Sequence, residues 1–385
     1  MAGLSGGPAP PRSRLLKRAP LLAAALVALL AGLWAGLLRL GLDLPQLRPA
    51  LAGWHGPLLV LGFLGVQIGL ERAVALGGHG ERRWPYLAPT AAAAGALWLL
   101  VGLPPRGGQL LLVAGGLVLV AVFIVIHRFD PTWHNAVMGL GALAWVAAAV
   151  VWLAGDGVAR AVPFLAAFLV LTIVGERLEL SRMRHPPAAV RAALLGAVAL
   201  FCLGVVLTLP WPALGVRLAG AGLLAQALWL ARYDVARRTI RMSGLTRYMA
   251  VALLAGYFWL AVAGGVWLWE GELSGGGFAY DAMVHAIFLG FVFSMIFAHA
   301  PVIVPAVLGV ALPYRRSFYL PLGLLHASVA IRLLGDLGED VEVWRWGGVL
   351  GEIAILAFIA LAASSALRAR RRPVRASDID HTGVG

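Results

Sequence analysis

Cysteine is nearly absent from this 385-residue sequence: Cys202 stands alone in an apolar run, which excludes an intrachain disulfide framework or a thiolate metal cluster. Charge is scarce too. Only 13% of residues are charged while 61% are hydrophobic, against roughly 25% charged in an average soluble domain. Such a chain cannot cover a soluble core with polar surface. No basic helix interleaved with aromatic residues is present, so the net charge of +13 does not point to nucleic acid. Adjacent histidines and His-x-His pairs are missing as well.

Long apolar runs are abundant. They fall at roughly 19–41, 54–76, 86–103, 109–127, 133–154, 160–180, 188–209, 212–233, 247–269, 280–311, 317–335 and 344–367, each near the ~20 residues that cross a bilayer. Breaks at Pro104-Pro105, Pro210-Trp211-Pro212 and Gly275–Gly277 separate several of them. The sequence therefore predicts an all-α, polytopic membrane bundle of about twelve transmembrane helices. It comprises a basic segment 1–18, a membrane domain 19–368 and a basic tail 369–385. Arg12, Arg14, Lys17 and Arg18 precede the first run, which is too long for a signal-peptide core and reads as a membrane helix. An inside amino terminus assigns 24 of the 31 Lys and Arg to cytoplasmic segments, as the positive-inside rule requires. Both termini are expected in the cytoplasm, and the protein in a bacterial plasma (inner) membrane.

Weak repetition accompanies this pattern. Glu71-Arg72 and Glu176-Arg177 end similar runs, and Trp34, Trp145 and Trp259 centre small-residue stretches. Either three four-helix units or shared composition explains it. Each Glu-Arg neighbour is expected to neutralise its own partner.

Ionisable groups inside a bilayer are functional candidates. Of nine histidines, His79, His185 and His381 fall in loops or the tail, leaving His55, His127, His134, His285, His299 and His326. His55 and His285 lie at similar depth near the outer ends of helices 2 and 10. Two such imidazoles can clamp a haem from opposite faces, or they are unrelated interfacial residues. His299 lies fourteen residues past His285, about 21 Å deeper and about 40° away around the axis, so both are expected on one face. His299 with His326 or His127 would form a second metal site, or these are scattered pairing residues. Glu352, isolated in helix 12, is expected to be protonated or paired with Arg332.

Three short segments resemble the NnrS family of haem- and copper-containing membrane proteins: Trp54-His55 followed by Gly62-Phe63, Gly175-Glu176-Arg177, and His285-Ala286 with Gly290 and Met295. The resemblance implies a twelve-helix fold, haem b held by His55 and His285, and a part in nitric oxide or nitrosative-stress handling or in electron transfer. It is also similar to the low-spin haem placement on helices 2 and 10 of haem–copper oxidases. Gly56, Pro57 and Leu58 replace the family's second His and its Glu, and Ala300-Pro301 stands where a Gly-His-Thr-Gly segment would be. These departures weigh against copper. Helix 6 has no histidine, unlike true oxidases. The rival reading is a proton-coupled secondary transporter, with Pro301 and Pro305 breaking helix 10 and with Glu352 and His326 as coupling groups. A scaffold subunit is the third reading. The lipid bilayer is the one partner common to all three.

Overall fold

A computed structural model describes residues 11–46, 48–77, 83–182, 186–273 and 275–371. His79, His185 and His381 lie outside the described residues, as do Arg82, Arg184 and Arg372 and most of both terminal segments. Among the described residues, twelve helices are long and apolar enough to cross a membrane: Arg18–Arg39, Ala52–Gly77, Trp84–Val101, Pro105–Phe129, Trp133–Leu153, Gly157–Ser181, Ala188–Leu207, Pro212–Tyr233, Gly244–Glu270, Gly277–Leu308, Arg316–Gly338 and Val341–Ala369. They are called spans 1 to 12. The protein is a multi-pass, all-α membrane bundle, as the apolar runs predict.

Short connections force successive spans to alternate in direction, and their contacts obey this. A Cβ on Gly204 of span 7 would meet the Ala219 backbone of span 8, whereas one on Gly222 would meet Phe201. Numbers rise on one helix as they fall on the other, so the pair is antiparallel. Glycine lets the backbones approach here, the usual device where lipid removes the hydrophobic drive between helices. Span 6 is the most enclosed, with 72% of its apolar window buried, and span 12 the least at 28%. Span 6 is thus the central post.

Alternation sorts the charges. One end of the bundle carries Asp43, Asp156, Glu270, Glu272 and Asp340; the other carries Arg83, Arg128, Arg182, Arg315 and Arg316. We call these the acidic and basic rims. Two fully buried indoles are satisfied within the bundle, Trp145 donating to the Leu112 carbonyl at 3.0 Å and Trp267 to that of Met283 at 2.9 Å. The three tryptophans in the repeat pattern have different settings. Trp34 bonds a loop carbonyl, Trp145 a neighbouring helix, and Trp259 the His326 ring.

Spans 2 and 10 depart from regular α geometry. Leu58–Leu64 and Ala286–Phe293 are π-helical, and the Gly65 N–H reaches back five residues to the Val60 carbonyl. Such stretches are rare and gather at functional sites. Each follows one of the two paired histidines. Span 10 then runs as helix from Ser294 through Pro301 and Pro305 to Leu308. The break expected at these prolines is therefore not there: with their N–H groups missing, the helix is carried on by its other backbone bonds.

Candidate functional site: a histidine pair in an amphipathic cavity

His55 opens the regular part of span 2, after the tight turn Ala52–Trp54. Its Nδ1 lies 2.7 Å from the Gly32 carbonyl oxygen of span 1. A carbonyl only accepts, so Nδ1 carries the proton and Nε2 is left with a free lone pair. His285 ends the first helical piece of span 10, and its Nδ1 lies 3.0 Å from the Asp281 carbonyl and 3.2 Å from Asp281 Oδ1. The same logic fixes its tautomer. Two imidazoles from different spans thus have Nδ1 anchored and Nε2 bare. Their ring centroids are 6.4 Å apart, with planes inclined by 37°.

Both rings line a cavity of about 410 Å³ near the acidic rim, within the ~300–1,000 Å³ typical of small-molecule and cofactor sites. Its walls include Leu59, Val60, Val162, Phe288 and Val292, while Arg39, Asp281, Arg332 and Glu352 add charge. Gly36 permits the close assembly on one side. A Cβ there would lie 2.9 Å from both Glu352 Oε1 and His55 Cε1.

Asp281 is locked in turn. Arg332 of span 11 donates to both its carboxylate oxygens, from Nε at 2.5 Å and Nη2 at 2.6 Å. The guanidinium also lies 5.1 Å from the Trp344 ring centroid of span 12. Arg332 therefore pairs with Asp281 and not with Glu352, which was one of the two alternatives the sequence left open. Geometry decides this, because a planar fork fits one carboxylate in bidentate fashion. Glu352 Oε2 is buried with no hydrogen-bond partner. Sequence reasoning missed the Asp281–Arg332 support. The i,i+4 spacing of Asp281 and His285 was its visible signal.

The remaining histidines are arranged differently. His299 faces Arg177 of span 6, whose Nη2 donates to Nε2 at 3.0 Å, while its Nδ1 donates to the Met295 carbonyl at 2.7 Å. It meets span 6, whereas His285 meets span 2 across the cavity. A π stretch turns by less than the α step of about 100° per residue, so the eight residues Ala286–Phe293 carry His299 off the face that a regular helix predicts. His326 accepts from the Trp259 indole at 3.0 Å and has Ser294 Oγ at 3.4 Å. His127 keeps a buried Nδ1 without a partner, and His134 Nε2 lies 3.1 Å from Thr132 Oγ1. His299 and His326 thus bond to different neighbours, Arg177 and Trp259. Among the described residues no group of three or more His, Cys, Asp or Glu is arranged to hold a metal ion.

Of the two Glu-Arg neighbours, Glu71 and Arg72 pair as expected, whereas Glu176 and Arg177 depart from expectation. Arg72 bridges Glu71 at 3.2 Å and Glu176 at 2.5 Å, linking spans 2 and 6, while Arg177 turns to His299. Consecutive helical residues point about 100° apart, which lets Glu176 and Arg177 reach different partners.

No curated protein and no solved structure matches this chain. Residues 18–367, which hold every span almost whole, match the family described as Domain of unknown function (DUF8744), and the chain belongs to that family.

Proposed function

We propose that this is a haem-binding membrane protein in which His55 and His285 are the two axial ligands. The observation that carries the reading is the 6.4 Å between their ring centres, with both Nδ1 atoms bonded to carbonyl oxygens. Metal–nitrogen bonds of about 2 Å, with about 1 Å more from nitrogen to ring centre, put two imidazoles on opposite sides of one iron roughly 6 Å apart. An Nδ1–H bonded to a backbone carbonyl or carboxylate is also the usual support of a metal-bound imidazole. The residues present fit the group.

In this reading Gly32 and Asp281 orient the rings, and Val60, Val162, Phe288 and Val292 exclude water. Arg39, exposed at the cavity mouth and in no ion pair among the described residues, is available for the acidic edge of a porphyrin. A haem b held by His55 and His285 would supply one-electron transfer or sensing. Resemblance to NnrS proteins points to nitric oxide or nitrosative-stress handling as the setting. The charge sorting supports a basic rim and both termini in the cytoplasm of a bacterial plasma membrane.

Protein purified from haem-replete cells is expected to show a Soret band that the double variant His55→Ala/His285→Ala lacks. A colourless wild-type preparation, or an unchanged band in the double variant, overturns the proposal.

A further inference from the structure

Four arginines meet at the other end of the molecule. Arg232 ends span 8, and Arg237, Arg238 and Arg241 follow in the connection to span 9; together they line a concavity of about 440 Å³ on the basic rim. Local structure explains the convergence. Asp234 Oδ1 accepts the Ala236 N–H at 2.7 Å and starts the short helix Ala236–Thr239. That helix folds the chain back, so that later arginines return to the side of Arg232.

None of the four has a carboxylate partner among the described residues; Arg232 lies 5.2 Å from the Tyr233 ring. Elsewhere the chain does supply partners for membrane arginines, at Arg72, Arg177 and Arg332. A topology signal needs basic residues on one side but does not need them to converge. Four cations around one concavity repel one another unless an anion enters.

The surroundings identify its source. Leu228, one helical turn before Arg232 on span 8, is 60% exposed, and Met242 beside Arg241 is 59% exposed. The basic concavity is thus continuous with an apolar, lipid-facing flank. A soluble anion needs no such flank, whereas a lipid occupies both with headgroup and chain. Guanidinium groups match phosphate oxygens in planar, two-pronged fashion.

We infer that Arg232, Arg237, Arg238 and Arg241 form a binding site for the phosphate headgroup of an anionic membrane lipid, with an acyl chain along Leu228. The site is separate from the histidine cavity and does not depend on the haem reading.

The test is native mass spectrometry of the purified full chain, with lipids added in detergent. Wild type is expected to retain cardiolipin or phosphatidylglycerol at least tenfold over phosphatidylcholine. The Arg237→Gln/Arg238→Gln variant should lose that preference, whereas Arg315→Gln/Arg316→Gln on the same rim should keep it. If the first variant does not fold, the single Arg238→Gln variant is scored the same way, with a drop of severalfold expected. Equal retention of neutral and anionic lipids by wild type overturns the inference. So does equal loss in the two double variants, which would mean that rim charge alone acts. Displacement of the lipid by millimolar inorganic phosphate would assign the arginines to a free anion and also overturns it.

Discussion

Two sets of histidines lie in this bundle, and their lone pairs separate them. In the cavity, His55 and His285 spend Nδ1–H on oxygen acceptors and leave Nε2 bare. Deeper in the bundle, His299 and His326 accept from Arg177 and the Trp259 indole. An imidazole nitrogen already bonded to an N–H has no pair to offer a metal. Burial does not distinguish the sets. Which neighbour presents a carbonyl and which a donor does.

That contrast can be broken by experiment, most sharply at the rings. His55→Ala or His285→Ala should abolish cofactor absorbance, whereas His299→Ala and His326→Ala should keep it. Loss of the band in all four would erase the distinction. Asp281→Asn comes next. Supports of metal-bound imidazoles typically contribute 10- to 100-fold in affinity, so haem retention on a desalting column should weaken by about that factor, with no comparable change for Trp259→Phe. Gly36→Val sharpens the comparison from the packing side. The 2.9 Å approaches to His55 and Glu352 leave no room for a side chain, and overpacking costs about 1–3 kcal/mol; roughly tenfold weaker retention is expected by titration. Trp259→Phe should have the smallest effect. Removing its bond to His326 costs about 1 kcal/mol, seen as a slightly lower unfolding midpoint in detergent with an unchanged spectrum.

Much of the fold was legible because lipid imposes a length and a composition on every span. Twelve apolar runs in the sequence became twelve helices. Charge bookkeeping was legible only as location. That Arg72 and Glu176 meet, and that Arg332 chooses Asp281 over Glu352, depends on how helices pack sideways, and no spacing within one helix records this. The His55 and His285 candidates could be named from depth and from a family resemblance. Their proximity could not, and the regular 100° step misplaced His299 because nothing in Ala286–Phe293 announces a wider turn.

A wider turn holds more residues than the α turn it replaces, so each π stretch carries extra chain compared with a regular helix. Deleting one codon within 58–64, where the stretch begins three positions after His55, would let span 2 rewind as ordinary helix. Either the ring would then swing by about 100° away from its partner, or everything below it would. Sequences that differ in length at this point should therefore differ in their capacity for the cofactor, even where both histidines are present.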